Sequence, residues 1–111
     1  MKVKGPDYSG YVIKFDRTYI DYDPQHEVIV LTIETIPDDE DPIASNCVLY
    51  IDVTQNYAAA CAGAASLAWS HGRDAYVDVY LDSRHRANLG DTGNGQRVCA
   101  VIYRNVIEVS R

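Results

Sequence analysis

Apart from tyrosine, the sequence has few aromatics: one Phe and one Trp stand beside nine Tyr in 111 residues. A core of this chain must therefore be aliphatic and modest. Tyrosine combines a flat apolar face with a hydroxyl and suits polar surfaces that bind something. Basic residues are also scarce, ten against sixteen acidic ones, and the net charge of -6 opposes the phosphate attraction that nucleic-acid binding requires. No apolar run approaches the length of a membrane span. Met1 to Asp7 lacks the apolar stretch of a signal peptide, so the chain is expected to be either a secreted form without its leader or cytoplasmic. Cys47, Cys61 and Cys99 form no C-x-x-C and have no histidine at ligand spacing, which argues against a zinc site and allows at most one disulfide.

At 47% hydrophobic and 23% charged, the chain reads as one globular domain over residues 1–111, with 1–7 as a flexible N-terminal arm. Tyr11, Ile13 and Phe15 alternate with Val12, Lys14 and Asp16, and Tyr19 and Ile20 break the phase around Asp16-Arg17, which predicts a long first strand with a bulge or bend there. After the turn Asp21 to His26, the run Val28 to Ile33 is too continuously apolar to be one-sided, so it is a buried second strand. The acidic loop Pro37 to Pro42 separates it from a third strand, Cys47 to Val53. Ala75, Val77, Val79 and Leu81 alternate with Tyr76, Asp78, Tyr80 and Asp82, a half-buried fourth strand whose outer face is tyrosine and aspartate. Arg97 to Val109 is the fifth strand, with a kink at Arg104-Asn105.

Between strands three and four lies an alanine-dense segment predicted as a helix from about Asn56 to His71, capped by Thr54 or Asn56 and closed by Gly72. No charged residue occurs between Val53 and Ser70, whereas a surface helix normally turns charge to water. A second copy of the chain is expected to cover this face, with Ala60, Ala64, Ser66 and Leu67 at the contact; an alanine-rich helix left partly exposed is the plainer alternative. The resulting class is mainly β with one helix (α+β). The order β-β-β-α-β-β in so short a chain matches a five-stranded OB-fold barrel, the oligonucleotide/oligosaccharide-binding architecture.

Motifs for chemistry are weak. Asp38-Asp39-Glu40-Asp41 lacks the ligand spacing and central glycine of an EF-hand loop, and it reads as a solvated loop. His26, His71 and His85 sit near turns with no partner motif, so neither a catalytic residue nor a metal or cofactor is expected. Gly90 to Gly95 has neither a P-loop Lys-Ser/Thr nor a strand-to-helix setting, and it reads as a mobile connector. Arg84-His85-Arg86 is the one basic cluster and suits salt bridges or an interface.

Tyr8-Ser9-Gly10-Tyr11-Val12-Ile13, then Tyr19-Ile20-Asp21 before Pro24, then an alanine-rich helix ending Ser70-His71-Gly72-Arg73, resemble the B subunits of subtilase cytotoxin and typhoid toxin. Those are OB-fold subunits of ring-shaped pentamers that bind sialylated glycans. The resemblance implies a homopentamer, a cell-surface glycan as partner, an A-type toxin subunit as a possible second partner, and no enzymatic activity. It carries Ser9 over as the residue that hydrogen-bonds a sialic-acid carboxylate, with Tyr8 as a rim aromatic and Asp7 as an acceptor for sugar hydroxyls. A turn or strand-start role for Ser9 is the plainer alternative. The family's tyrosine at the end of strand four falls here on Val79, and its strand-two cysteine is absent from Leu31-Thr32-Ile33.

Cys47 matches a family half-cystine, and the resemblance makes Cys99 its partner. Such a bridge would contribute roughly 3 to 4 kcal/mol through loop closure and would imply a secreted origin; two reduced thiols are the alternative. The composition leaves two other readings open. One is an acidic intracellular interaction or immunity-type protein that masks a basic partner. The other is a module for single-stranded nucleic acid, with Tyr76 and Tyr80 as stacking platforms but without a basic groove.

Overall fold

The structure is a computed structural model and describes residues 4–106. Its organising strand is β2 (Glu27–Thr35), whose continuous apolar run fills both of its faces. Leu31 and Ile33 point into the main core, while Val28 and Val30 join a second cluster with Tyr50 and Leu89. The expected buried strand is thus present, and two separate cores explain why its sequence does not alternate.

Around β2 run β1 (Tyr8–Tyr19), β3 (Asn46–Asp52), β4 (Ala75–Asn88) and β5 (Asn94–Asn105), closed in the order β1-β2-β3-β5-β4. The helix α1 (Ala58–Ser70) lies between β3 and β4 in the chain. This is an OB-fold-like α+β barrel, with the helix where that architecture places it. Among the described residues no helix is long and apolar enough to cross a membrane.

Helix α1 buries Ala58, Cys61, Ala65 and Ala68, a stripe spaced three and four residues apart, against the barrel core. Small side chains let its backbone approach closely. Its N-cap position is Tyr57, with no side-chain cap, because Thr54 turns back and donates through both N and Oγ1 to Asp52 Oδ1 at 3.0 and 2.7 Å. The cap expected from Thr54 or Asn56 is therefore not formed. Gly72 closes the helix as expected, at a left-handed φ of 59°.

Three expectations of detail are corrected. The bulge in β1 falls at Ile13 rather than at Asp16-Arg17, which pair without interruption with Val30 and Ile29. The slip brings Val12 and Phe15 to the core side and leaves Ile13 exposed, so the core does not have to take Lys14. Strand β4 does not stop at Asp82; after a second irregularity it continues beside β5 as far as Asn88. The glycine segment is then no mobile connector but a tight hairpin. Leu89 N donates to Gly93 O at 2.9 Å, Asn88 Oδ1 accepts from Gly90 N at 2.9 Å, and Lys14 Nζ donates to Thr92 Oγ1 at 3.2 Å. The fifth strand's expected extension through 107–109 lies outside the described residues.

Two places make the closure possible. At Gly10, β1 is paired with Thr35 of β2 and with Val77 of β4. A Cβ there would come within 2.9 Å of the Glu34 carbonyl carbon, so only glycine lets the strands cross. At the other seam, β3 meets β5 through a short parallel contact, Leu49 with Gln96 and Tyr50 with Arg97. There Arg97 Nη2 donates to Asp82 Oδ2 at 2.7 Å, and Nη1 lies 3.8 Å from Asp52 Oδ2. The guanidinium side chain is only 13% exposed, so these charges are largely shielded from water.

Both carboxylates are held below their ordinary range. At Asp82 the causes are the hydrogen bond from the Arg84 side chain, then the one from Arg97. At Asp52 burial pulls upward, but hydrogen bonds from Thr54 and Gln55 together with the charge of Arg97 outweigh it. Each carboxylate's contribution to stability is thus complete above the unfolded value of about 4 and is lost as pH falls below it through the depressed folded values.

Urea midpoints should accordingly drop progressively as the pH falls below about 4. Asp82→Asn should be less stable at neutral pH and decline less steeply in acid; an unchanged acid slope would exclude this clasp as the source. Independently, Gly10→Ala should cost about 1 to 3 kcal/mol through overpacking. Equilibrium unfolding that matches the wild type would contradict the close crossing of β1 and β2.

Candidate functional site

The pairing of β1 with β4 sets Tyr8 against Val79, Ser9 against Asp78 and Gly10 against Val77. Val77 and Val79 face the core, so the alternation carries Ser9 and Asp78 to the outside of the barrel. There Ser9 Oγ donates to Asp78 Oδ1 at 2.6 Å, a charge-assisted bond. Arg104 sits beside this pair, because β5 sets it against Tyr76, and its Nε donates to Asp78 Oδ2 at 2.9 Å. That hydrogen bond is the first cause that holds the Arg104 guanidinium above its usual range.

Next to this hydroxyl, carboxylate and guanidinium lies a hollow of about 370 Å³. Tyr11 and Tyr76 supply aromatic walls, Ser9 a polar edge, and Ile36, Pro37 and Asp38 a rim, with Val106 closing one side. Arg73 lies over the ring of Tyr11, its guanidinium carbon 4.7 Å from the ring centroid. Arg73 is itself paired with Glu34, the residue opposite Tyr11 on β2, and this partner raises its proton affinity. The turn Gly72–Asp74 after α1 delivers Arg73 to that position. Backbone geometry fixes the rim: Ile36 N donates to Ser9 O at 3.1 Å, and Asp38 Oδ1 accepts Glu40 N and Asp41 N at 2.9 and 2.7 Å.

Of the three residues singled out in the sequence, Ser9 alone lines this hollow. Asp7 and Tyr8 border a neighbouring hollow of about 380 Å³ that shares Ser9, Ile36 and Asp38 with the first. Tyr8 lies on the inward phase and packs against the core. Asp7 accepts Leu81 N at 2.8 Å, and this backbone bond is the leading cause that lowers its carboxyl. Asp7 N also donates to Val79 O at 2.9 Å, so the part of the N-terminal arm next to β1 is fastened to β4. Sequence reasoning missed Tyr11, Asp78 and Arg104 as site residues and assigned Tyr76 only to a stacking platform. The alternation of β4 was the available signal, since it places Tyr76, Asp78 and Tyr80 on one outer face.

The expected bridge between Cys47 and Cys99 is not formed; all three cysteines are free. The parallel register of β3 and β5 leaves Cys47 and Cys99 about five residues out of step, or roughly 16 Å, well beyond disulfide reach. Burial raises the Cys47 and Cys61 thiols above their usual range. The argument for a secreted origin that depended on the bridge goes with it.

On α1, Ala60 and Leu67 are exposed, while Ala64 and Ser66 are half-buried. Ala59, Ala60, Gly63 and Leu67 give the helix an uncharged outward face, continued by Trp69, which stands 6.0 Å from Phe15 between ring centroids. Ser66 lines a groove of about 530 Å³ with Phe15, Ile29 and Gly63. Comparisons with protein families, with curated proteins and with solved structures give no match for this chain.

Proposed function

We propose that this chain is a non-enzymatic binding subunit that recognises glycans on a target-cell surface and assembles as a ring of identical copies. One observation carries the reading: Ser9 lies at the edge of a hollow walled by Tyr11 and Tyr76, beside the Asp78 and Arg104 pair. Flat aromatic faces next to oriented polar groups are what a sugar ring with hydroxyls on its rim requires. The hollow lies on the barrel exterior, a setting for weak single-site affinity that repetition around a ring would raise. The resemblance to pentameric toxin subunits supports the ring and a secreted setting, and it makes an A-type subunit a possible partner.

A second reading, an acidic interaction protein that masks a basic partner, draws on the exposed loop residues Asp38, Asp39, Glu40 and Asp41. It predicts binding to polycationic surfaces that weakens steeply with salt and no retention on any glycan.

A glycan array probed with wild type and Ser9→Ala tests the first reading. Retention of the wild type with clear loss in the variant is expected, and equal retention would remove Ser9 from the site. Light scattering should give about five times the 12.4 kDa chain mass. Leu67→Lys should lower that mass; a wild-type monomer at micromolar concentration would refute the ring.

A further inference from the structure

The toxin-subunit resemblance implies a sialylated ligand, but the chemistry of the hollow favours a different class. The one hydroxyl proton of Ser9 is engaged by Asp78 at 2.6 Å, so Ser9 Oγ offers lone pairs rather than a donor. Asp38, on the rim, is a carboxylate and accepts only. Each guanidinium beside the site already has an anion: Arg104 has Asp78 at 2.9 Å, and Arg73 has Glu34. A ligand carboxylate would meet the acceptors Ser9 Oγ and Asp38, the like charge of Asp38, and no basic residue in the lining of the hollow, a mismatch that works against binding. A neutral sugar offers the complement, with hydroxyl protons for these acceptors and C–H faces for Tyr11 and Tyr76.

We infer that the hollow takes a neutral sugar, whose hydroxyls donate to Ser9 Oγ and Asp38 while a ring face lies on Tyr76. It disfavours a terminal sialic acid. Asp78 is here a positioning residue, because it turns Ser9 into an acceptor. The inference rests on the glycan reading above and names the class of sugar.

The test is an array of paired glycans that share the same cores with and without terminal sialic acid. Wild type should be retained at least about tenfold better on the neutral members, the factor that one charge-assisted hydrogen bond carries. Asp78→Asn removes charge but keeps an acceptor; it should narrow that gap, with thermal melting confirming the fold. If that variant does not fold, Asp38→Asn on the exposed loop should narrow the gap instead. Stronger retention on the sialylated members would overturn the neutral-sugar inference and leave the glycan reading standing. No retention on any member would overturn both.

Discussion

The contact that the barrel depends on is the one between Arg97 and two carboxylates. Where β3 meets β5 the strands run parallel over a short register, and such pairing is slightly weaker per residue than antiparallel pairing. Arg97 reinforces this seam through Asp82 on the neighbouring strand and Asp52 at the end of β3. Its Nε is buried with no hydrogen-bond partner among the described residues, so its two Nη groups set the orientation. Removing either carboxylate would leave a shielded cation with one partner fewer, the costly way to break such a cluster. With β5 pinned to β3, the sheet curls far enough for β4 to reach β1, and that second seam is where Ser9 and Asp78 meet. The site is therefore a product of closure and would not survive in an open sheet.

Much of the fold could be read from local pattern. β4 alternates cleanly because one face packs and the other is wet, and β2 is continuous because two cores receive it. The helix could be read from its alanines and from Gly72. The bulge at Ile13 could not, because Val12 and Ile13 are equally apolar and either phase gives a plausible buried face. Only the requirement that Phe15 rather than Lys14 pack inward decides between them, and that requirement appears once β1 lies on β2. The end of β4 was hidden for the opposite reason: Arg84, His85 and Arg86 are exposed and interrupt the apolar rhythm, and the strand is carried on by backbone pairing of Arg86 to Asn88 with β5.

The site was less legible than the fold. Ser9 could be marked from its neighbours, yet its partner Asp78 is 69 positions away, and Arg104 a further 26. Which outer face Ser9 joins depends on the β1–β4 register, a property of closure with no local signature. The same register puts Tyr8 on the inward phase and leaves Asp7 to satisfy the Leu81 backbone. The disulfide expectation failed on register too: two cysteines on adjoining strands meet only if the strands are in step.

The acidic character of the chain, with a net charge of -6, acquires a local meaning at the site. Arg97 and Arg104 on β5 each bind a carboxylate of β4, and Arg73 in the turn after α1 binds Glu34 of β2, so these cations serve to tie elements of the fold together rather than to attract an anion. What remains at the hollow is hydroxyl and carboxylate oxygen between tyrosine rings. Cationic side chains committed to fold closure and aromatic ones left at the surface are one division of labour, and it follows from the size of the chain. A core of small aliphatic residues, with an alanine-faced helix packed on it, leaves ion pairs to fasten the seams of the barrel. The side chains left at the hollow are then those that need no counter-charge, which is why Tyr11 and Tyr76, rather than a basic residue, give it its character.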